Sequence, residues 1–193
     1  MDAHTPNMLN SILDKFRPVS VERINDFLTR KCIEHTCTKL DEISFKIENL
    51  NWHLYIDENY FKIELAFTID EESDNKINKL IAEKACLEVT KQIKVLKAHY
   101  ISHEYTDEDQ NNKLIKFHIL IFAFESYCFN MYDFSYFFFT GINIIIGGKN
   151  EYHKIYDELE SKLPGTSIGF SHLDSENTYE KSQPTNRHRI GFD

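Results

Sequence analysis

The sequence predicts an α+β domain in which an antiparallel sheet of five strands is covered on one face by helices. Residues 42–69 alternate between apolar and polar side chains over three consecutive segments, which is typical of strands with one buried face. Segments with helical periodicity precede and follow this region and can cover its apolar side. The predicted order of elements is α-β-β-β-α-β-β-α, and 193 residues suit one such domain.

Composition narrows the classes of function. The formal net charge of −9 repels a phosphate backbone, so nucleic acid is not an expected partner. The hydrophobic share of 41%, with 15 Phe and 10 Tyr, is ample for a core. Four cysteines, in a chain whose first residues lack the basic and apolar pattern of a secretory signal, predict reduced thiols and a cytoplasmic location.

Both ends of the chain are predicted to lie outside the domain. Residues 1–18 predict a helical extension, since Thr5 can cap a helix that begins at Pro6 and Pro18 interrupts it. Its apolar residues share one face: Met8, Leu9, Ile12, Leu13 and Phe16. Residues 164–193 are rich in Ser, Asn, Thr, Glu and Gly, which predicts a flexible tail.

The domain is predicted to span residues 19–163 and to begin with a helix that Ser20 caps and that ends near Cys32. Residues 33–41 are interpreted as a connector. Three strands then occupy residues 42–69, joined by turns rich in Asn, Asp and Glu. Their apolar sides consist of Ile43, Phe45, Ile47, Trp52, Leu54, Ile56, Phe61, Ile63, Leu65, Phe67 and Ile69.

A second helix and two further strands follow. The acidic residues 70–74 suit a helix N-terminus, and the helix is predicted to run to about Gln92. Its apolar stripe is Ile77, Leu80, Ile81, Ala85, Val89 and Ile93. Residues 94–103 predict an edge strand and residues 107–112 a polar loop. Residues 113–124 predict a long strand that is apolar on both sides from Ile119 to Phe124, which suits either a central strand or a strand whose second face is covered.

The last helix is predicted from about Met131 to Leu163. Gly147 and Gly148 weaken a helix by about 1 kcal/mol each, so the sequence leaves open whether the helix is continuous, kinked or broken there. The most apolar stretch, residues 134–146, has about 13 residues, whereas a membrane span needs about 20. This length favours a buried helix, and a membrane is not an expected partner.

No motif predicts a catalytic residue, a cofactor or a metal site. Cys32, His35 and Cys37 lie close together in sequence, but structural zinc requires four ligands, usually as two close pairs. Residues 106–112 resemble a calcium loop in composition but lack its glycine and its final glutamate. Neither GxSxG nor the spacing of a phosphate-binding loop is present.

Several aromatic residues fall off the main stripe of the last helix or precede it: Tyr127, Phe129, Tyr132, Tyr136 and Phe139. They either belong to the core, covering a second face of the sheet, or form a subunit interface, and we favour a self-association surface. Leu96 and Tyr100, on the predicted edge strand, are further candidates for contact with a partner.

Four segments stand out beside the element order: WHLYID at 52–57, FKIEL at 61–65, IKVLKA at 93–98 and FHILIFAF at 117–124. With this order and these segments, the chain from Val19 to Leu163 resembles the bacterial YbjN-like family. The resemblance implies a type III secretion chaperone-like fold, in which small acidic homodimers without enzymatic activity bind an extended client segment on apolar patches and sheet edges. It implies no catalytic residue.

These observations predict a non-enzymatic, cytoplasmic, protein-binding module, chaperone-like or regulatory, that forms a homodimer. The alternative is an enzyme or small-ligand protein with a pocket between sheet and helices. His118 and Tyr100 are its polar candidates, and finding both buried together in a cavity would favour it. A third hypothesis, a peripheral membrane protein, depends on residues 134–146 alone.

Overall fold

The computed structural model describes residues 13, 16–39, 41–70, 79–107 and 113–162. Its helices and strands are α1 (Val21–Arg30), β1 (Glu34–Lys39), β2 (Glu42–Ile47), β3 (Leu50–Asp57), β4 (Tyr60–Asp70), α2 (Lys79–Gln92), β5 (Leu96–Asp107), β6 (Lys113–Tyr127) and α3 (Met131–Ser161). The described strands form one sheet in the order β1-β2-β3-β4-β6-β5, and every pairing is antiparallel. The predicted α+β class is confirmed.

Among the described residues the sheet has six strands, so the prediction of five is wrong. Residues 34–39 form β1 instead of a connector, and β1 pairs with β2 so that His35 lies opposite Phe45. The side of β1 toward α1 is polar, with His35 Nε2 2.9 Å from Asn25 Oδ1. Because β1 supplies backbone pairing and polar contacts instead of apolar side chains, it lacks the alternation that identifies the other strands.

The strands β2, β3 and β4 form the meander that the sequence predicts. Ile47 and Leu50 pair across the two-residue turn Glu48-Asn49, in which φ is 52° and 61°. Positive φ at both central residues gives a turn whose twist matches that of the flanking strands. The apolar side chains buried along these strands are Ile43, Phe45, Trp52, Leu54, Ile56, Phe61, Ile63, Leu65 and Phe67.

β6 occupies a central position, one of the two that its apolar sequence suits, with β4 on one side and β5 on the other. Leu120, Phe122 and Phe124 are buried against the helices, whereas Ile119 and Ile121 on the opposite face are half-buried. β5 ends the order of the described strands, which confirms its prediction as an edge strand.

The helices share one hydrophobic core with the sheet. Phe27 of α1 and Phe45 of β2 both contact Phe138 of α3, with ring centroids 5.7 and 5.2 Å apart. α2 buries one side, as predicted, except that Leu80 is 73% exposed. The buried stripe of α2 consists of Ile81, Ala82, Ala85, Cys86 and Val89, and at helical spacing Leu80 lies on the opposite side of the helix.

α3 is a continuous helix of 31 residues that passes through Gly147 and Gly148 without a break. Gly148 is buried, and a Cβ there would overlap the side chain of Leu96 on β5. Two turns earlier, a Cβ at Gly141 would lie 2.5 Å from Phe124 Cδ1 on β6. The buried glycines therefore let α3 approach the sheet closely, which explains why the helix keeps a residue of low propensity.

Several predictions concern residues outside the described part of the chain. These are most of the helical extension at 1–18, the start of the second helix before Lys79, the loop at 108–112 and the tail at 164–193. Within the described residues, no helix combines the length and the apolar character that crossing a bilayer requires.

Candidate functional site

The aromatic residues within and just before the last helix that are predicted to contact a partner are exposed to solvent. We call these five residues the aromatic surface: Tyr127 is 67% exposed, Phe129 67%, Tyr132 58%, Tyr136 63% and Phe139 40%. Exposed aromatic groups of this size leave apolar area in water, which is typical of surfaces that bind a partner.

Helical geometry places three of these residues on the outer side of α3. Tyr132, Tyr136 and Phe139 follow one another at i, i+4 and i+7, so they form one stripe. The inner stripe includes Phe134 and Phe138, both fully buried. Asn130 sets the start of the helix, since its side chain accepts hydrogen bonds from the backbone N–H groups of Tyr132 and Asp133 at 3.0 and 2.9 Å.

The structure adds three residues that the sequence analysis missed. Tyr60 packs edge to face on Tyr127 at 5.6 Å, and Phe16 stacks on Tyr132 at 6.5 Å. Phe27 meets Phe139 at 6.0 Å. Tyr60 and Tyr127 are directly opposite in the β4–β6 register, a pairing that only the strand order reveals.

The stretch of chain that carries Phe129 and the exposed rings of α3 contains little charge of its own, although Lys31 Nζ of the chain after α1 lies 5.9 Å from the centre of the Phe139 ring. Between Phe129 and Gly148 the only charged residue is Asp133. Its carboxylate is half-buried and accepts a hydrogen bond from the Phe129 N–H at 3.3 Å. On a chain with a net charge of −9, the low charge of this stretch favours it as the place where a second acidic copy can approach.

An open cleft with an acidic rim adjoins Tyr127 and Phe129. It is lined by Asp57, Glu58, Asn59, Tyr60, Tyr127 and Phe129. Burial, together with the charge of Glu125 and a hydrogen bond to it, raises the pKa of Tyr60 to about 12. Tyr60 therefore stays neutral across the physiological range.

Leu96 and Tyr100 do not belong to the aromatic surface. Leu96 is fully buried beneath Gly148, so its side chain is not accessible to a partner. Tyr100 is half-buried and faces the helices. What β5 offers a partner is the backbone of its outer edge, along the 12 residues from Leu96 to Asp107.

Tyr100 and His118, the polar candidates for a ligand pocket, contact each other beneath the helices. Tyr100 Oη lies 2.6 Å from His118 Nδ1, and the two rings stack at 5.4 Å. His118 is 5% exposed. Burial raises the pKa of the fully buried Tyr152, with smaller contributions from Cys86, Tyr156 and Tyr100. The result is a polar cluster inside an aromatic core.

The sequence Cys32 to Cys37 does not assemble a metal centre in the described structure. His35 Nδ1 lies 2.7 Å from the Ile33 carbonyl oxygen and His35 Nε2 lies 2.9 Å from Asn25 Oδ1, so both ring nitrogens are already engaged. Among the described residues, no group of three or more His, Cys, Asp or Glu side chains could hold a metal ion.

Comparison with known proteins finds one relevant structure. The chain is similar to YbjN. The solved structure, "Crystal structure of YbjN, a putative transcription regulator from E. coli", matches 74% of this chain and 93% of its own, with 7% identity and a TM-score of 0.43. The match is with the family that the sequence pattern resembles, and similarity at this level carries no information about function. No family model matches the chain, and no curated protein sequence matches it significantly.

Proposed function

We propose that this chain is a non-enzymatic, cytoplasmic, protein-binding module, chaperone-like or regulatory, that forms a homodimer through its aromatic surface. The observation that carries the proposal is the concentration of exposed rings around a stretch, residues 129–148, that contains one charged residue in an acidic chain. Tyrosine and phenylalanine bury large areas with little loss of rotamer freedom, and tyrosine is enriched among the residues that dominate binding energy.

The partner we propose for the aromatic surface is a second copy of the chain. A contact centred on Tyr132, Tyr136 and Phe139 would hide the largest exposed apolar groups of α3 from water in both copies at once. The acidic rim of the neighbouring cleft, at Asp57 and Glu58, would remain at the periphery, where it stays hydrated.

The open edge of β5 supplies a second mode of binding, for an extended client segment. A peptide that adds a strand there would satisfy backbone N–H and C=O groups that β6 does not pair. Its affinity would come from the main chain, because the inward side chains Leu96 and Ala98 are buried.

Sedimentation equilibrium on the full chain tests the proposal. Replacing Tyr132 and Tyr136 together by serine should raise the dimer dissociation constant by about tenfold or more, which corresponds to losing about 1.4 kcal/mol. Leu80→Ser is the matched control, because Leu80 is 73% exposed but lies on α2. Equal dissociation constants for the double variant and the control would contradict the proposal.

A second candidate function, a small-ligand site, is favoured by the 2.6 Å contact between Tyr100 and His118 inside the core. A thermal-shift screen of small polar aromatic compounds tests it on the wild type and on Tyr100→Phe. A compound that stabilises the wild type but not the variant supports the ligand site. Compounds that act equally on both proteins, or on neither, count against it.

A further inference from the structure

The open cleft at one end of the sheet combines aromatic rings with carboxylates. Its base is a row of directly paired residues, in which Asp57 of β3 lies opposite Tyr60 of β4, and Tyr60 lies opposite Tyr127 of β6. Since the adjacent Ile56 and Phe61 are buried in the core, this row lies on the face of the sheet that points away from the helices. The Tyr60 and Tyr127 rings meet edge to face at 5.6 Å.

Backbone hydrogen bonds hold the third ring of the cleft, that of Phe129, in place. The Cys128 N–H donates to the Asn59 carbonyl oxygen at 2.8 Å, which joins the β3–β4 turn to the residue before Phe129. The Phe129 N–H donates to the Asp133 carboxylate at 3.3 Å. An exposed ring on a backbone that is already ordered loses less freedom when a partner binds, so Phe129 is preorganised for contact.

The two hairpin turns of the meander show that the turn itself does not require the residues of the cleft. Both turns have Glu-Asn at their centre, at 48–49 and at 58–59, and φ of the glutamate is 52° in one and 50° in the other. The first turn is flanked by the apolar pair Ile47 and Leu50, whereas the second is flanked by Asp57 and Tyr60. Because an apolar pair serves the first turn, the carboxylate and the ring beside the second need another explanation.

The next row on the same face of the sheet shows which chemistry suits such a combination. Lys62 lies opposite Tyr55, and its Nζ is 4.5 Å from the centre of the Tyr55 ring and 2.9 Å from Glu64 Oε1. One lysine there satisfies both a ring and a carboxylate. The described residues that line the cleft are two acids, one amide and three aromatics, and none of them is basic. The cleft is therefore complementary to a cation that another molecule supplies.

We propose that the cleft binds an arginine side chain carried by a segment of a partner protein. A guanidinium group stacks on aromatic rings and pairs with carboxylates through parallel N–H···O bonds, a combination that the ammonium of lysine cannot match. Tyr127 and Phe129 supply exposed rings, and Asp57 and Glu58 supply the carboxylates. Because the cleft is open, it does not enclose a small ligand, whereas a protein segment brings further contacts outside the cleft.

This inference goes beyond the proposed dimer and does not depend on it. The dimer contact is centred on Tyr132, Tyr136 and Phe139, whereas the cleft takes Tyr127 and Phe129. Arginine binding should therefore be the same at protein concentrations below and above dimer formation, and the dimer should form without arginine. Binding that arises only as the dimer forms would overturn the assignment of the site to the cleft of one chain.

NMR titration of the full chain with short peptides tests the proposal. The probes are acetylated, amidated Gly-Arg-Gly and two matched peptides in which lysine or neutral citrulline replaces arginine. The arginine peptide should shift the amide signals of residues 57–60 and 127–129. It should bind at least about threefold more tightly than the citrulline peptide and at least about twofold more tightly than the lysine peptide. Equal affinity for arginine and either replacement, or shifts confined to other residues, would overturn the proposal.

Two pairs of variants locate the site. Glu58→Gln should weaken the arginine peptide by about twofold or more, whereas Glu48→Gln, at the same place in the other hairpin turn, should not change its affinity. Phe129→Ala should weaken it by about threefold or more, whereas Leu80→Ala on α2 should not. All four side chains are exposed, so the fold should tolerate each change. Equal effects within either pair would contradict the assignment to the cleft.

Free arginine distinguishes a protein partner from a small molecule. The arginine peptide should bind more tightly than free arginine by about twofold or more, because its flanking backbone adds contacts and carries no charge of its own. Free arginine that binds as tightly as the peptide would assign the cleft to a small ligand and overturn the proposed protein partner.

Discussion

The two halves of α3 bury the same kind of inner face but present opposite outer faces. The first half, Met131–Gly147, buries Phe134 and Phe138 and exposes Tyr136. The second half, Gly148–Ser161, buries Tyr152 and Tyr156. Its outer face carries charged residues: Lys154, Asp157 and Glu158.

The comparison shows that the role of a tyrosine depends on its position on the helix. Tyr152 is fully buried and packs edge to face on Phe122 at 5.7 Å, so it stabilises the fold. Tyr136 is 63% exposed, and its main ring contact is Phe137 on the same helix. An exposed tyrosine without a role in the core is available for recognition.

The largest expected effect is the difference in protein stability between a substitution at Tyr152 and the same substitution at Tyr136. Tyr152→Ala should lower the free energy of unfolding by about 3–5 kcal/mol, because it leaves a large cavity in a close-packed core. Tyr136→Ala should change the same quantity by less than about 0.5 kcal/mol. Urea unfolding of the monomer, followed by circular dichroism, measures both.

The control for this comparison is Tyr152→Phe, which keeps the ring and removes only the hydroxyl. A loss much smaller than that of Tyr152→Ala would assign the effect to packing. Equal losses for Tyr152→Ala and Tyr136→Ala would contradict the division of α3 into inner and outer roles.

Alanine substitutions at the two adjacent glycines where the halves of α3 meet should change the stability of the protein in opposite directions. Gly148→Ala should destabilise the protein by about 1–3 kcal/mol, because its methyl group overlaps the buried Leu96 side chain. Gly147 has nothing within 4 Å of an added Cβ, so Gly147→Ala should stabilise the helix by up to about 1 kcal/mol. Thermal unfolding of the two variants shows whether each substitution lowers or raises the stability relative to the wild type.

Leu96 provides the control for the glycine experiment. If the cost of Gly148→Ala arises from overlap with Leu96, then it should be smaller in a Leu96→Ala background than in the wild type. Additive costs would show that the close approach of α3 to β5 is not the reason for the glycine.

Cysteine reactivity should show that the core is protected from solvent to a similar degree beneath the two halves of α3. Burial raises the pKa of Cys86, beside Tyr152, to about 12, and that of Cys128, just before α3, to about 11. Neutral thiols in the core react slowly, so iodoacetamide at pH 8 should modify the exposed Cys32 and Cys37 first.

Mass spectrometry of the alkylated chain resolves the four sites, with urea-unfolded protein as the reference in which all four react. Both raised values favour the protonated thiol of the folded state. The stability they contribute is therefore full below the unfolded pKa, near 9, and is lost as pH rises through 11 to 12. Early modification of either Cys86 or Cys128 would mean that one inner face opens more readily than the other.

The smallest effect is expected on the outer face of the second half. Lys154 pairs with Glu151 at 3.1 Å, and the Lys154 side chain is 70% exposed. Exposed pairs of this spacing contribute about 0.3–0.5 kcal/mol, so Lys154→Ala should barely change the free energy of unfolding. A salt titration of the wild type and variant checks that even this difference disappears as screening increases.

The alternation of apolar residues was sufficient to predict β2, β3, β4 and β6, because each buries one or both faces. It could not reveal β1, whose inner side is polar and whose His35 is satisfied by Asn25. Gly148 likewise conflicts with helix propensity until its contact with Leu96 is known. Prediction from the local sequence pattern therefore fails at positions where a contact with a distant part of the chain determines the structure.

For the candidate site, helical spacing alone identified the exposed rings of α3, since Tyr132 and Tyr136 fall off the stripe that contains Phe134. It could not identify Tyr60 or Phe16, because their contacts depend on strand order and on the path of the chain before α1. Leu96, predicted as a contact, is buried because the inner side of β5 lies beneath α3.

The most direct test is the solution mass of the full chain by light scattering over a range of concentrations, with Tyr136→Asp and Lys154→Asp beside the wild type. We predict that the wild type and Lys154→Asp rise toward twice the chain mass of 22.9 kDa, while Tyr136→Asp remains near 22.9 kDa. A wild type that stays at 22.9 kDa, or a Tyr136→Asp protein that dimerises as well as Lys154→Asp, would contradict the assignment of binding to the outer face of the first half of α3.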